Sequence, residues 1–459
     1  MPVAKLIAAR KPQPERRLRS VALAALSISA ALFLFAPAQG QQPAVKNLAG
    51  KKAFPGALGY GALAAGGRNG RIIHVTSLAD SGAGTLRACI EARGPRVCVF
   101  RVNGVIRFTS RPPWIVNPYI TIAGQTAPGG GITLSHGGGD NGRTPLVIKD
   151  TTDVIIRHVR VRTDRIGGFQ GAEDDITIEN STRVIIDHVS GSWARDEVIN
   201  GFGDNDDVTI SNSIFAWGIP KHDKCALLAS DPKDKQRMTF VNNICAHNGD
   251  RNPDINFPPA SCVEVVNNIL YNAQSEFAEV WESYGGTPVS IVGNTFVAGG
   301  DTNPGSRGIA RETTGTRGMA KIYMWDNAFV GSFSHISPEV KAAVVTTSPC
   351  PLTAPPRAAT VAYADVLLKS GAFPRDAIDA QVVADVRNRT GRINYPNPAI
   401  PRQPTAAPYS DADKDGMDDT WERSQGMNPA AADPWADQDG DGIANFEEFL
   451  TFREKSMGL

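Results

Sequence analysis

From residue 120 onward, short β-branched segments recur, each closing on a polar corner, and this recurrence restricts the fold more than any other feature. The segments are Ile120-Thr-Ile-Ala-Gly124, Val154-Ile-Ile-Arg-His158, Val184-Ile-Ile-Asp-His188, Val208-Thr-Ile-Ser-Asn212, Met238-Thr-Phe-Val-Asn-Asn243, Val263-Glu-Val-Val-Asn-Asn268, Val289-Ser-Ile-Val-Gly-Asn294 and Ile322-Tyr-Met-Trp-Asp-Asn327, ending 24 to 34 residues apart. A second short apolar run follows several of the corners, as in Ile214-Phe215-Ala216, before a variable loop. One such unit cannot bury its apolar face alone, but stacked units share a continuous core, and a corner Asn can hydrogen-bond to the coils above and below. The expected class is all-β, a right-handed parallel β-helix. A β-sandwich would place turn signals about every 8–12 residues, which these units do not.

The ends differ from the repeat. Residues 84–92 space Leu86, Cys89 and Ile90 on one helical face, which predicts a capping helix over the open end of the stack. The basic residues Arg16, Arg17 and Arg19, an apolar run over 21–35 and Ala36-Pro37-Ala38 read as a secretory signal over 1–38. That run is shorter than the roughly 20 residues a span requires, so no stable membrane insertion is expected. A linker at 39–52, the β-helix at 53–345, a Pro-rich wrapping segment or linker at 346–408 and a small module at 409–459 complete the plan. The chain is expected to be a monomer, secreted or held in the periplasm or at the cell surface. Lys+Arg and Asp+Glu balance at 47 each, which gives no support to nucleic-acid binding. Six cysteines in an exported chain can all pair, and only Cys89 with Cys98 closes a loop short enough to propose from spacing.

The last module carries two matches to an EF-hand-like calcium loop. Asp411, Asp413, Asp415, Met417, Asp419 and Glu422 fill one set of ligand positions, and Asp437, Asp439, Asp441, Ile443, Asn445 and Glu448 the other, with Gly416 and Gly442 at the turn. Met417 and Ile443 would offer backbone carbonyls and each final Glu two oxygens. The loops begin 26 residues apart, which also suits a compact helix-loop calcium module of the dockerin or thrombospondin-repeat kind. Such a module can take a protein partner.

Several motifs resemble the pectate lyase superfamily, polysaccharide lyase family 1, over 53–345: Ala53-Phe54-Pro55-Gly56, Ser81-Gly-Ala-Gly-Thr-Leu-Arg-Ala88, Ile120-Thr-Ile-Ala-Gly-Gln-Thr-Ala-Pro128, Ser192-Trp193 with Asp196, and 247–253. They are most similar to the branch whose members also end in calcium-loop repeats. The resemblance implies a lyase that cuts an acidic polysaccharide, pectate or a related uronan, by β-elimination with Ca2+. It implies Asp175, Asp196 and Asn200 as calcium ligands, Lys224 as the substrate-binding lysine and Arg251 as the catalytic base. Free arginine stays protonated, so this role demands a strongly cationic setting, to which Lys224 and calcium would contribute. Asn200 stands where the family has an acid, Asn256 where it has an arginine and Asp254 where a basic residue is usual. These departures keep two alternatives in play, a β-helix glycoside hydrolase using Asp174 or Asp175 with Asp196, and a non-catalytic carbohydrate-binding or adhesion protein. His158, His188 and Asp187 read as packed structural residues.

Overall fold

The computed structural model describes residues 42–136, 143–163, 173–220, 222–394 and 399–459, together with the backbone of Leu34–Phe35. Apart from that backbone, the expected leader at 1–38 lies outside the described residues, and among those residues no helix is long and apolar enough to cross a membrane.

The chain winds into a parallel β-helix whose described residues form three sheets of ten, nine and ten strands, all paired in parallel except Leu34–Phe35, which adds antiparallel to one edge. Each coil contributes one short strand to each sheet in turn, for example Ile176–Glu179, then Thr182–Asp187, then Ser190–Ser192. Alternation sorts the side chains. In the second of these strands Val184 and Ile186 enter the central core beside Val154, Ile156, Val208 and Ile210. Ile185 faces outward, where Ile155, Ala53, Ala57, Ala62 and Ala64 cover it. The covering chain comes so close that a Cβ on Gly61 would lie 2.2 Å from the Val184 carbonyl oxygen, which leaves room only for glycine.

The corner after the second strand explains the recurring polar residues. His158, His188, Asn212, Asn242, Asn267 and Asp326 all sit there with φ between 48° and 57°, a left-handed geometry that Asn, Asp and His tolerate best after glycine. The next residue forms a buried ladder. Asn268 Oδ1 accepts the Asn243 N–H at 2.8 Å, Asn294 Oδ1 the Asn268 N–H at 2.9 Å, and Asn327 Oδ1 the Asn294 N–H at 3.0 Å. The Nδ2 groups of these residues donate to carbonyls of the preceding coils, so the buried amides are satisfied. Ser213, one residue beyond Asn212, occupies the ladder position in its coil and donates its N–H to Asn243 Oδ1.

Helix Leu86–Glu91 buries Leu86, Cys89 and Ile90 in the core and is tied to the neighbouring strand by the Cys89–Cys98 disulfide. Cys225 pairs with Cys245, and Cys262 with Cys350. The segment expected as a linker at 39–52 is fastened at its far end, where Ala44 and Lys46 pair with the Leu352 backbone.

The stretch 346–408, expected as a wrapping segment or linker, contains helices Ala359–Lys369 and Ala377–Asn388. Val366, Leu367, Ile378, Val382, Val383 and Val386 lie on the outer face of the third sheet, against Ile214, Ala216, Ile244, Ile269 and Tyr271. Asp376 and Asp379 fix this strap by pairing with the fully buried Arg162, at 3.2 and 2.8 Å.

At the C-terminus, helices Asp419–Ser424 and Asn445–Ser456 each follow an acidic loop. Among the described residues no helix lies between Asn388 and the first loop, so the arrangement is loop then helix rather than a paired EF-hand. Met417, Trp421, Phe446 and Phe449 do cluster, but around Val97, Val99 and Ala123 of the opening coils, so this segment has no core independent of the β-helix.

Candidate active site

The nine-stranded sheet gathers the charged residues. Its register puts Thr177 beside Asn200, Glu197 beside Lys224, and Asp254 beside Glu279 on successive coils. Lys224 also bridges to Asp250 through the backbone. A parallel ladder stacks side chains from coils 20 to 30 residues apart on one wall, so residues far apart in sequence become neighbours.

Asp174, rather than Asp175, reaches Asn200 among the other expected ligands. Its Oδ2 accepts from Asn200 Nδ2 at 3.1 Å and from Thr177 Oγ1 at 2.6 Å, while Oδ1 accepts the Glu197 N–H at 3.3 Å. Asp175 turns into the wall and is fully buried. Its Oδ1 accepts from Thr163 Oγ1 at 2.8 Å, and its Oδ2 is so close to Gly191 that a Cβ there would lie at 3.0 Å. The physical reason is local: the strand begins only at Ile176, so no pleat dictates which of two consecutive aspartates faces out. Burial pushes the Asp175 carboxyl well above the usual carboxylate range, against the pull of Thr163 and Arg162.

Asp196 pairs with His222 Nδ1 at 2.5 Å. One ligand atom each from Asp196, Glu197 and His222 lies within 4.8 Å of the others. Glu197, absent from the sequence-based site, is its centre. The side chain is almost fully buried, and its Oε1 accepts from Arg251 Nη1. Burial, then Asp174 and Asp196, push the Glu197 carboxyl up to about 8, and burial with Asp196 pushes Asp174 up to about 7. The Asp196 and Glu197 carboxylates, with Asp174 bonded to the Glu197 N–H and Asn200 Oδ1 lacking a partner among the described residues, fit a hard cation that prefers oxygen ligands. The one available signal for Glu197 was the Asp196-Glu197 pair at the mouth of a strand whose ladder neighbour opens with Lys224.

Arg251 reaches the same wall through Glu197, and its Nε lies 3.7 Å from Asp254 Oδ2. Its own N–H donates to Glu279 Oε1 at 3.1 Å. The setting is acidic, contrary to the cationic one expected from sequence: burial opposes the charge, but Glu197, Asp254 and Glu279 outweigh it and hold the guanidinium protonated. Lys224 is engaged by Asp250. Burial, followed by Glu279, drives Asp254 well above the usual range, and burial followed by Glu276 takes Glu279 up to about 7.

The two C-terminal loops are unequal. In the first, Asp411 Oδ1, Asp413 Oδ2, Asp415 Oδ2 and both oxygens of the fully buried Glu422 lack partners. Burial, then Asp415, pushes Glu422 up to about 7, so the donors present fit a calcium ion. In the second, Asp437, Asp439 and Asp441 converge but are exposed, with Glu448 beside them. Asp419 and Asn445 turn instead to their own loops, Asp419 accepting from Ser410 and Ala412, and Asn445 accepting from Gln438 and donating to Asp433. Met417 and Ile443 donate their N–H groups to Asp415 and Asp441.

A parallel β-helix whose wall holds clustered acids, a lysine and an arginine defines a protein built to meet a charged polymer. Residues 126–299 match the family described as pectate lyase. The probable pectate lyase C of Aspergillus fumigatus is 32% identical over 404 residues, 83% of this chain and 89% of the relative, and that of Aspergillus flavus is 38% identical over 252 residues, 55% of each. The chain belongs to the pectate lyase family. Jun a 1, the major allergen from cedar pollen, shares the fold, with a TM-score of 0.52 at 21% identity over 69% of this chain and 93% of that one.

Proposed function

We propose that this chain is an exported, calcium-dependent lyase that cuts pectate or a closely related uronan by β-elimination. The observation that carries this is the convergence of Asp174, Asp196, Glu197 and Arg251 on one wall in a chain of this family. Asp174, Asp196 and Glu197, with the Asn200 amide oxygen, would hold calcium, Asp174 taking the part first expected of Asp175. When bound, calcium would stabilise the charge that develops on the uronate carboxylate as the C5 proton leaves.

The chain's own groups do the rest. Lys224 holds the substrate carboxylate once it leaves Asp250. Arg251 takes the C5 proton as the C4–O bond breaks, so that a C4=C5 double bond forms and the departing oxygen takes a proton from water; for this the pairing of Arg251 with Glu197 has to open, because an arginine between carboxylates is a poor base. Glu197 belongs to both the arginine pair and the acid cluster, so drawing it into the cluster releases the base. A hydrolase reading gives Arg251 no work, and family membership favours the lyase.

At the two ends, helix Leu86–Glu91 serves as a cap over the stack, and the first C-terminal loop is the stronger of two structural calcium sites. The test is incubation with polygalacturonate and calcium while following the ultraviolet absorbance of unsaturated product. Product that vanishes on chelation and in Arg251→Lys is expected; no product on any uronan, or saturated ends formed without calcium, overturns the reading.

A further inference from the structure

Arg251 separates two groups of acids, and of the second only Asp250 enters the chemistry above, as the partner that Lys224 leaves. Ligand atoms of Asp250, Glu276 and Glu279 lie within 4.8 Å of one another. Asp254 is the ladder partner of Glu279, is 4% exposed, and has an Oδ1 with no hydrogen-bond partner among the described residues. Asp250 Oδ1 is likewise buried and without a partner. The nearby cations do not balance this group. Lys224 meets Asp250 alone, Arg251 is shared between Glu197 and Asp254, and Arg307 between Glu276, at 3.2 Å, and Glu312, at 2.9 Å.

A buried carboxylate oxygen with nothing to accept from costs about 1–3 kcal/mol or more. Two of them beside two further carboxylates form an all-oxygen donor set of the kind a hard divalent cation takes. We infer that Asp250, Asp254, Glu276 and Glu279 form a second calcium-class cation site next to Arg251, through which this stretch of wall accepts a carboxylate of the polymer. The inference rests on the lyase reading for the identity of that polymer. Without the cation, a polyanion crossing here meets four acids; with it, each uronate carboxylate finds a bridging charge. The same cation would draw Asp254 and Glu279 from Arg251, as the first site draws Glu197.

Trp281 supplies a reporter, because its Nε1 donates to Glu279 Oε2 at 2.9 Å. Terbium(III), a luminescent stand-in for calcium, is titrated into the full-length chain with excitation through tryptophan. A saturable emission component is expected that calcium competes away, that disappears in Trp281→Phe, and that weakens at least tenfold in apparent affinity in Asp254→Asn and Glu276→Gln. It should survive in Asp174→Asn and in Glu422→Gln, which disable the first wall site and the first C-terminal loop. Emission unchanged by Trp281→Phe, or by both Asp254→Asn and Glu276→Gln in folded protein, overturns the inference. Unsaturated product from wild type without a Trp281-dependent signal rejects this site and leaves the lyase reading intact. The signal without product on any uronan does the reverse.

Discussion

Two parts of the same stack of coils treat buried polarity in opposite ways. At the corner lined by His158, His188 and the asparagine ladder, Asp187 accepts from Arg157, Ser211 and Asn212 and pairs with His188. Its carboxyl is held well below the usual range despite burial, mainly by His188 and Arg157. On the nine-stranded sheet, Asp174, Glu197, Asp254 and Glu279 are shifted upward by the same burial, without enough donors to offset it. Burial alone therefore does not distinguish structure from chemistry in this fold; completeness of pairing does.

Breaking the contrast at the incomplete end should have the largest effect. Arg251→Lys keeps a positive charge but not the guanidinium, and should lower kcat on polygalacturonate by on the order of 10²–10⁴-fold, the usual contribution of a positioned proton acceptor. Asp174→Asn should raise the calcium needed for half-maximal rate by roughly 10–100-fold, whereas Asp175→Asn should leave it nearly unchanged. Equal effects of the two would restore the ligand set read from sequence.

At the complete end the expected losses are in stability. Asn294→Ala removes a ladder member bonded above and below and should cost about 1–3 kcal/mol in urea unfolding. The smallest effect is a pH dependence. Burial lowers His158 to about 4, and the groups that face it are Glu454, His188 and Arg157. A histidine depressed in the fold binds its proton more readily when unfolded, so stability falls as pH drops from about 6.5 towards about 4. Between pH 7 and 5.5 the loss should be about 1 kcal/mol, and His158→Gln should remove that slope.

The repeat was legible in the sequence because its corners demand particular chemistry. Left-handed backbone at 188, 212, 242 and 267 favours His, Asn or Asp, and the ladder requires a side chain that both donates and accepts. The site was legible only in part. Asp196, Asn200, Lys224 and Arg251 were read from the sequence and lie together at the nine-stranded sheet, but which of Asp174 and Asp175 joins them depends on where a strand begins, and Glu197 and Glu279 come beside them only through neighbours one coil away. The strap helices were hidden because prolines 351, 355, 356 and 374 flank them, and their apolar positions make sense only against the third sheet.

The docking of the last helix on the first coils fixes an order of assembly. Arg453 donates to the Gln125 carbonyl and Glu454 pairs with Arg157, and Phe446 and Phe449 of the same helix cover Val97, Val99 and Ala123. Until this distant segment has been made the opening coils carry a bare greasy flank, and a chain stopped short near residue 408 keeps it. Such a product should stick to its own kind or to a chaperone even with the whole catalytic wall present, which makes the tail a seal on the finished enzyme.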